Sequence, residues 1–137
     1  MYDRLLVAVD QSEVFGRVIA AAKDMAALSQ GTVWVLHIRE REFGRLGLTP
    51  SEPDEEAQRA VSEGVGALIQ AGIDAHGEVR EAVFGQAARE IVKDAQEHDA
   101  GIIIMGSRGR SDLAGLVLGS TAHKVIHLTD RPVLVVR

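Results

Sequence analysis

Strand-like apolar stretches and segments with helical spacing alternate along the whole chain, and this rhythm restricts the fold more than any other feature. "RLLVAV" (Arg4 to Val9) is near-continuously apolar, as expected of a strand buried on both faces. Ser12 is placed to cap a helix whose stripe is Val14, Val18, Ala22 and Met25, with Gly31 as its stop. "TVWVLHI" (Thr32 to Ile38) is a second strand. The charged "REREFGRLGLTP" (Arg39 to Pro50) reads as a loop. A second helix is expected from Ser51 to Gly72, with Glu52, Asp54 and Glu55 in its first turn, where the helix dipole favours carboxylates. Its apolar face is Ala57, Ala60, Val61, Gly64, Val65 and Leu68. Ile73 to Val83 alternates as a half-buried strand, and Gly85 turns the chain into a helix with Ala88, Ile91, Val92 and Ala95 on its face. "AGIIIM" (Ala100 to Met105), a helix over Ser120 to Leu128, and "RPVLVV" (Arg131 to Val136) complete the series.

The order β-α-β-α-β-α-β-α-β points to a single α/β domain with an open parallel sheet and helices on both faces. A length of 137 residues suits one such domain. With no cysteine, disulfides and thiolate metal sites are excluded. The net charge of −5 and an aromatic content of 4% argue against nucleic-acid binding. "MYDRLLVAVD" is too short an apolar run for a membrane span, so a soluble cytoplasmic protein is expected.

In open α/β sheets ligands bind outside the carboxyl ends of the strands, where the strand order reverses. Two of those ends are unusual here. The first strand finishes at Asp10, and the fourth runs into "GSRGRSDLAGLVLGST", with glycines at 106, 109, 115 and 119. Gly106 and Gly109 let a ligand approach the main chain and permit a positive φ. Gly119, Ser120 and Thr121 stand at a helix start, where free amides, the helix dipole and two hydroxyls favour phosphate. A hydrogen bond to a charged group contributes roughly 1.5–3 kcal/mol. Three or four would support micromolar binding, about −8 kcal/mol. Asp10 is a candidate for a magnesium ion, for a ribose contact, or for a plain turn at the helix entry. Arg108 and Arg110 either neutralise phosphate or are simply solvated.

The spacing Gly106-x2-Gly109-x9-Gly119-Ser120 resembles the G-x2-G-x9-G-[S/T] signature of the ATP-binding universal stress protein family. "LLVAVDQS", "VLHI", "GQAAREI" (with Ala87 where the family usually has proline) and "RPVLVVR" resemble further segments of that family, so the likeness spans nearly the whole chain. It implies five parallel strands in the order 3-2-1-4-5. It also implies that Ala8, Val9 and Asp10 lie along the nucleotide and that Ile38 meets adenine through its backbone. Met105, Gly106, Ser107, Arg108 and Gly109 would contact ribose and phosphates, and Gly119, Ser120 and Thr121 would hold the phosphates. Gln11, where the family often has glycine, is a departure. The implied ligand is ATP, with AMP and cyclic AMP as alternatives, and magnesium as a candidate companion.

Fast catalysis has no positive case: neither G-x-x-x-x-G-K-[S/T] nor G-x-S-x-G is present. The expected role is regulatory or stress-related nucleotide binding. The alternatives are a slow ATPase acting as a timing switch and an interaction module that holds no nucleotide. His37 reads as a bonded core histidine, His123 and His127 as structural residues sharing a helix face, and His76 and His98 as exposed. Trp34 and Phe84 read as packing residues. The last strand is an apolar edge, so a two-fold homodimer pairing Val133 to Val136 with its copy is expected. The Arg39–Pro50 loop is expected to order over bound nucleotide.

Overall fold

The computed structural model describes residues 1–109 and 118–137. In chain order the elements are β1 (Arg4–Ala8), α1 (Phe15–Ser29), β2 (Thr32–Gly44), β3 (Gly47–Pro50), α2 (Asp54–Gln70), β4 (Asp74–Val83), α3 (Ala87–Glu97), β5 (Ile102–Gly106), α4 (Ser120–Leu128) and β6 (Val133–Val136). The parallel pairings β4–β2, β2–β1, β1–β5 and β5–β6 give the order expected from the sequence, with the strand order reversing at β1. Of the glycine-rich stretch that follows β5, Arg110 and Gly115 lie outside the described residues.

Alternate side chains of the central strands feed two cores, as a pleat with period two requires. Leu5, Val7, Val33, Val35 and Ile104 pack against Val18, Ala22, Val61 and Leu68 of α1 and α2. Leu6, Leu36, Ile103 and Met105 pack on the opposite face against Ala88, Ile91, Ala95, Ala122 and Val125 of α3 and α4. Leu5, Leu6, Ile103 and Ile104 are completely buried. Each contributes roughly 1.5–3 kcal/mol of hydrophobic stabilisation.

The Arg39–Pro50 stretch is not a loop. β2 runs on to Gly44, and the two-residue turn Arg45–Leu46 leads to Gly47 at φ +93°. β3 then pairs antiparallel with Arg41 to Gly44, which makes the sheet mixed rather than wholly parallel. Arg41 is flanked by Pro50 on one edge and Val83 of β4 on the other. The hairpin therefore lies on the β1 side of β2, beyond the point where the β1 ladder stops at Ala8–Leu36.

Other local expectations are corrected. Ser12 does not cap α1: Val14 holds the N-cap position, and Ser12 instead donates its backbone N–H to Asp10 Oδ1 at 3.0 Å. The left-handed residue ending α1 is Gln30, at φ 54°, not Gly31. The second helix begins at Asp54 behind Pro53, so Glu52 precedes it. Phe84 is 65% exposed and packs no core. His98 is half-buried, its ring stacked 4.7 Å from that of Trp34, while His76 is exposed and stacks more distantly at 6.0 Å. Gly85 does make the expected turn, at φ +87°.

Candidate functional site

A cleft opens at the carboxyl ends of β1 and β5, beside Leu36, His37 and Ile38 in the middle of β2, on the side where α4 begins. Its walls include Ala8, Val9, Asp10, Ile38, Met105, Gly106, Ser107, Arg108, Gly109, Gly119 and Thr121. Ser120 lines the contiguous outer opening together with Glu52, Gly85 and Lys124. The described residues singled out from the sequence for the site thus border this crevice and its outer opening, brought there by the reversal of strand order at β1; Arg110 lies outside the described residues.

Gly106 works through closeness rather than through an unusual dihedral: positive φ is found at Gly47, Gly72 and Gly85 and not at Gly106. A Cβ on Gly106 would lie 2.6 Å from Val14 Cγ2 and 3.3 Å from the Arg108 carbonyl. Its missing side chain lets the end of β5 pack directly on the entry to α1. Ser107 is buried, donates its N–H to the Val136 carbonyl at 2.7 Å, and accepts from the Gly119 N–H at 2.5 Å. That last bond joins the two described ends of the motif.

It also commits the Gly119 amide, which the sequence reading had counted among the free donors. Gly119 is the N-cap of α4 and has no side-chain cap bond. The Ser120, Thr121 and Ala122 amides, the first turn of α4, have no acceptor among the described residues. Unpaired first-turn amides at the positive end of a helix dipole form an anion-binding arrangement.

The charged side chains sort differently. Asp10 stands at the cleft with Oδ1 accepting from Ser12. Arg108 donates to Glu13 Oε1 at 2.9 Å across an exposed pair. Exposed pairs of this kind contribute less than about 1 kcal/mol, so the arginine is readily redirected. His37 is buried; its Nδ1 donates to the Val9 carbonyl at 2.7 Å, and its Nε2 pairs with Glu52. The partnership with Glu52 could not be read from the sequence. The rim is tied by a further bond, from the Gly85 amide to Glu40 Oε2 at 3.0 Å.

Away from the cleft, Glu78, Asp94 and His98 bring their donor atoms within 4.8 Å of one another. The guanidinium of Arg80 fills this cluster, with Nε 3.3 Å from both Glu78 Oε1 and Asp94 Oδ1 and further contacts to Glu90 and Glu97. Burial, reinforced by Glu78, pushes the Asp94 carboxyl up to about 7 against the pull of Arg80. Hydrogen bonding with Asp94 holds Glu78 below its ordinary value. A cation of the protein's own thus occupies this carboxylate group. His123 and His127 meet edge to face at 4.5 Å on one face of α4.

Fold and cleft together define a doubly wound α/β protein with its binding crevice at the switch point. The family model described as "Universal stress protein family" matches residues 1–137. The chain belongs to the universal stress protein family. It is 34% identical over 148 residues to the universal stress protein YxiE of Bacillus subtilis, covering 100% of both chains. A solved universal stress protein of Archaeoglobus fulgidus superimposes with a TM-score of 0.76 at 31% identity, covering 100% of each chain. Another structure from Archaeoglobus fulgidus, in complex with dAMP, superimposes with a TM-score of 0.75 at 26% identity over 99% of this chain and 98% of that one. Among the described residues no helix is long and apolar enough to cross a membrane.

Proposed function

We propose that this protein binds an adenine nucleotide, ATP foremost, in the switch-point cleft and acts as a regulatory stress-response protein in the cytoplasm. The observation that carries the reading is the set of amides at Ser120, Thr121 and Ala122, which have no acceptor among the described residues and stand at the crevice beside Gly106 and Gly109. The dAMP complex of the Archaeoglobus fulgidus relative supports an adenine nucleotide as the occupant. In this reading Ala8, Val9 and Asp10 run along the nucleotide, and the Ile38 backbone meets adenine. Met105 to Gly109 lie against ribose and phosphates, and the first turn of α4 receives the phosphates. Magnesium prefers oxygen ligands and is commonly held by one or two carboxylates together with substrate phosphates. Asp10 is the carboxylate placed to hold it.

The protein works as a homodimer joined through the β6 edge, Val133 to Val136. β6 is half-buried along its length and pairs on one side with β5.

Mass spectrometry of small molecules carried through purification, with calorimetric titration of ATP, AMP and cyclic AMP, tests the reading. Micromolar binding of at least one, lost in Gly119→Val, is the expected result. No retained nucleotide and no titratable binding would refute it.

A further inference from the structure

His37 faces two acceptors. Its Nδ1 lies 2.7 Å from the Val9 carbonyl, which can only accept, and its Nε2 meets a carboxylate oxygen of Glu52. Neutral imidazole has one donor and one acceptor nitrogen. Satisfying both partners therefore takes one proton more than a neutral ring and a carboxylate hold between them. His37 and Glu52 are each less than a tenth exposed at the side chain, so a group left unmet here would be desolvated without a partner.

The bridge lies where the regular ladder has run out. β1 and β2 last pair at Ala8–Leu36, and beyond that the Val9 N–H reaches the Leu36 carbonyl at 2.8 Å. The His37 ring then fastens Val9, the residue before Asp10, to Glu52. Glu52 closes the base of the β2–β3 hairpin. Its carbonyl accepts from Arg39 Nε at 3.0 Å, and the neighbouring Ser51 N–H donates to the Glu40 carbonyl at 2.8 Å. Three separate pieces of chain that border the cleft meet on one side chain.

We propose that the Glu52–His37–Val9 bridge is a latch that positions the end of β1 and the base of the hairpin, and so sets the grip of the cleft on its nucleotide. The proposal rests on the nucleotide reading above. Both ring nitrogens are occupied within the protein, so His37 acts as a positioning residue and not as a ligand contact. Glu52→Ala removes the latch. Glu52→Gln rebuilds it with one proton fewer, because the Gln amide donates to the Nε2 of a neutral ring while Nδ1 still donates to Val9.

The test is ATP titration by calorimetry on wild type, Glu52→Ala and Glu52→Gln, with ¹⁵N NMR of the His37 ring at the same pH. Expected are at least tenfold weaker binding in Glu52→Ala, recovery to within about threefold in Glu52→Gln, and a hydrogen bond at His37 Nε2 that is seen in the ring ¹⁵N signals of wild type and Glu52→Gln and lost in Glu52→Ala. Wild-type affinity in a folded Glu52→Ala, or no recovery in Glu52→Gln, overturns the latch while leaving nucleotide binding intact. A wild-type protein that binds no adenine nucleotide overturns both readings, and the NMR signal then reports a purely structural bridge.

Discussion

Gly106, the last residue of β5, packs so closely on Val14 that a Cβ added to it would stand 2.6 Å from Val14 Cγ2. Val14 is 2% exposed and belongs to the core under α1, so it has little room to retreat. Gly106→Ala is therefore an overpacking substitution and is expected to cost about 1–3 kcal/mol. Urea unfolding monitored by circular dichroism measures it. An unchanged midpoint would mean that the α1 entry yields freely, which would remove the steric reason for glycine at this position.

That contact shows what the sequence revealed and what it concealed. Gly106 stood out because it interrupts a buried apolar run, but the reason for it, Val14, lies 92 residues earlier and is reached only by folding (106 − 14). The parallel sheet was legible because the runs holding Leu5, Leu6, Ile103 and Ile104 carry no polar alternation, as strands buried on both faces do, whereas the strand order was implied by the family resemblance. The hairpin was illegible for the opposite reason. Arg39, Glu40, Arg41 and Glu42 put charge on both faces of β2, so hydrophobic period says nothing there, and only Gly44-x-x-Gly47 hinted at a turn. Ser12 looked like a cap because residue type favours it. The Asp10 carboxylate takes its N–H into a tight turn instead, and α1 starts later. The Glu52 partnership depends on the hairpin bringing residue 52 back to residue 37, which no local pattern encodes.

Asp94 gives the stability a calculable pH dependence. Its carboxyl rises from 3.8 to about 7 on folding, chiefly through burial. Between those values the folded protein keeps a proton that the unfolded chain has released, and stability falls with rising pH wherever the native state binds more protons. The contribution is fully present below about 3.8 and is lost as pH passes through about 7. The stability of wild type relative to Asp94→Asn should decline from pH 5 to pH 8, since asparagine has no proton to release there and groups remote from Asp94 cancel in the difference. Urea titrations of both proteins across that range provide the measurement, and a pH-independent difference would contradict the assignment.

The β6 edge makes the proposed dimer testable with one residue. Ile103 donates to the Pro132 carbonyl and Ser107 to the Val136 carbonyl, so by the parallel ladder pattern the backbone groups of Val133 and Val135 point away from β5. Proline is tolerated on an edge strand where the lost N–H faced outward. Val135→Pro should therefore keep the fold while deleting a donor from the copy-to-copy interface. Sedimentation at micromolar concentration is expected to give a dimer for wild type and a monomer for Val135→Pro, with circular dichroism alike. A wild-type monomer would refute the interface, and a dimer that survives the substitution would place it elsewhere.

The proposed phosphate cradle can be tested by separating main-chain from side-chain contacts at Ser120. Ser120 is the first helical residue after the Gly119 cap, the position at which proline fits a helix best. Gly119 has φ −72° and ψ 165°, the extended conformation that a following proline demands. Ser120→Pro thus preserves α4 while removing one of the first-turn amides that have no acceptor among the described residues, together with the Ser120 hydroxyl. A hydrogen bond to charged phosphate contributes roughly 1.5–3 kcal/mol, so ATP binding should weaken about ten- to a hundredfold. Adenosine, which has no phosphate, should bind as it does to wild type. Ser120→Ala separates the two losses, since it removes the hydroxyl and keeps the amide. Equal ATP affinity in wild type and Ser120→Pro would show that the first turn of α4 does not receive the phosphates. Equal weakening in Ser120→Ala and Ser120→Pro would assign the contact to the hydroxyl instead of the main chain.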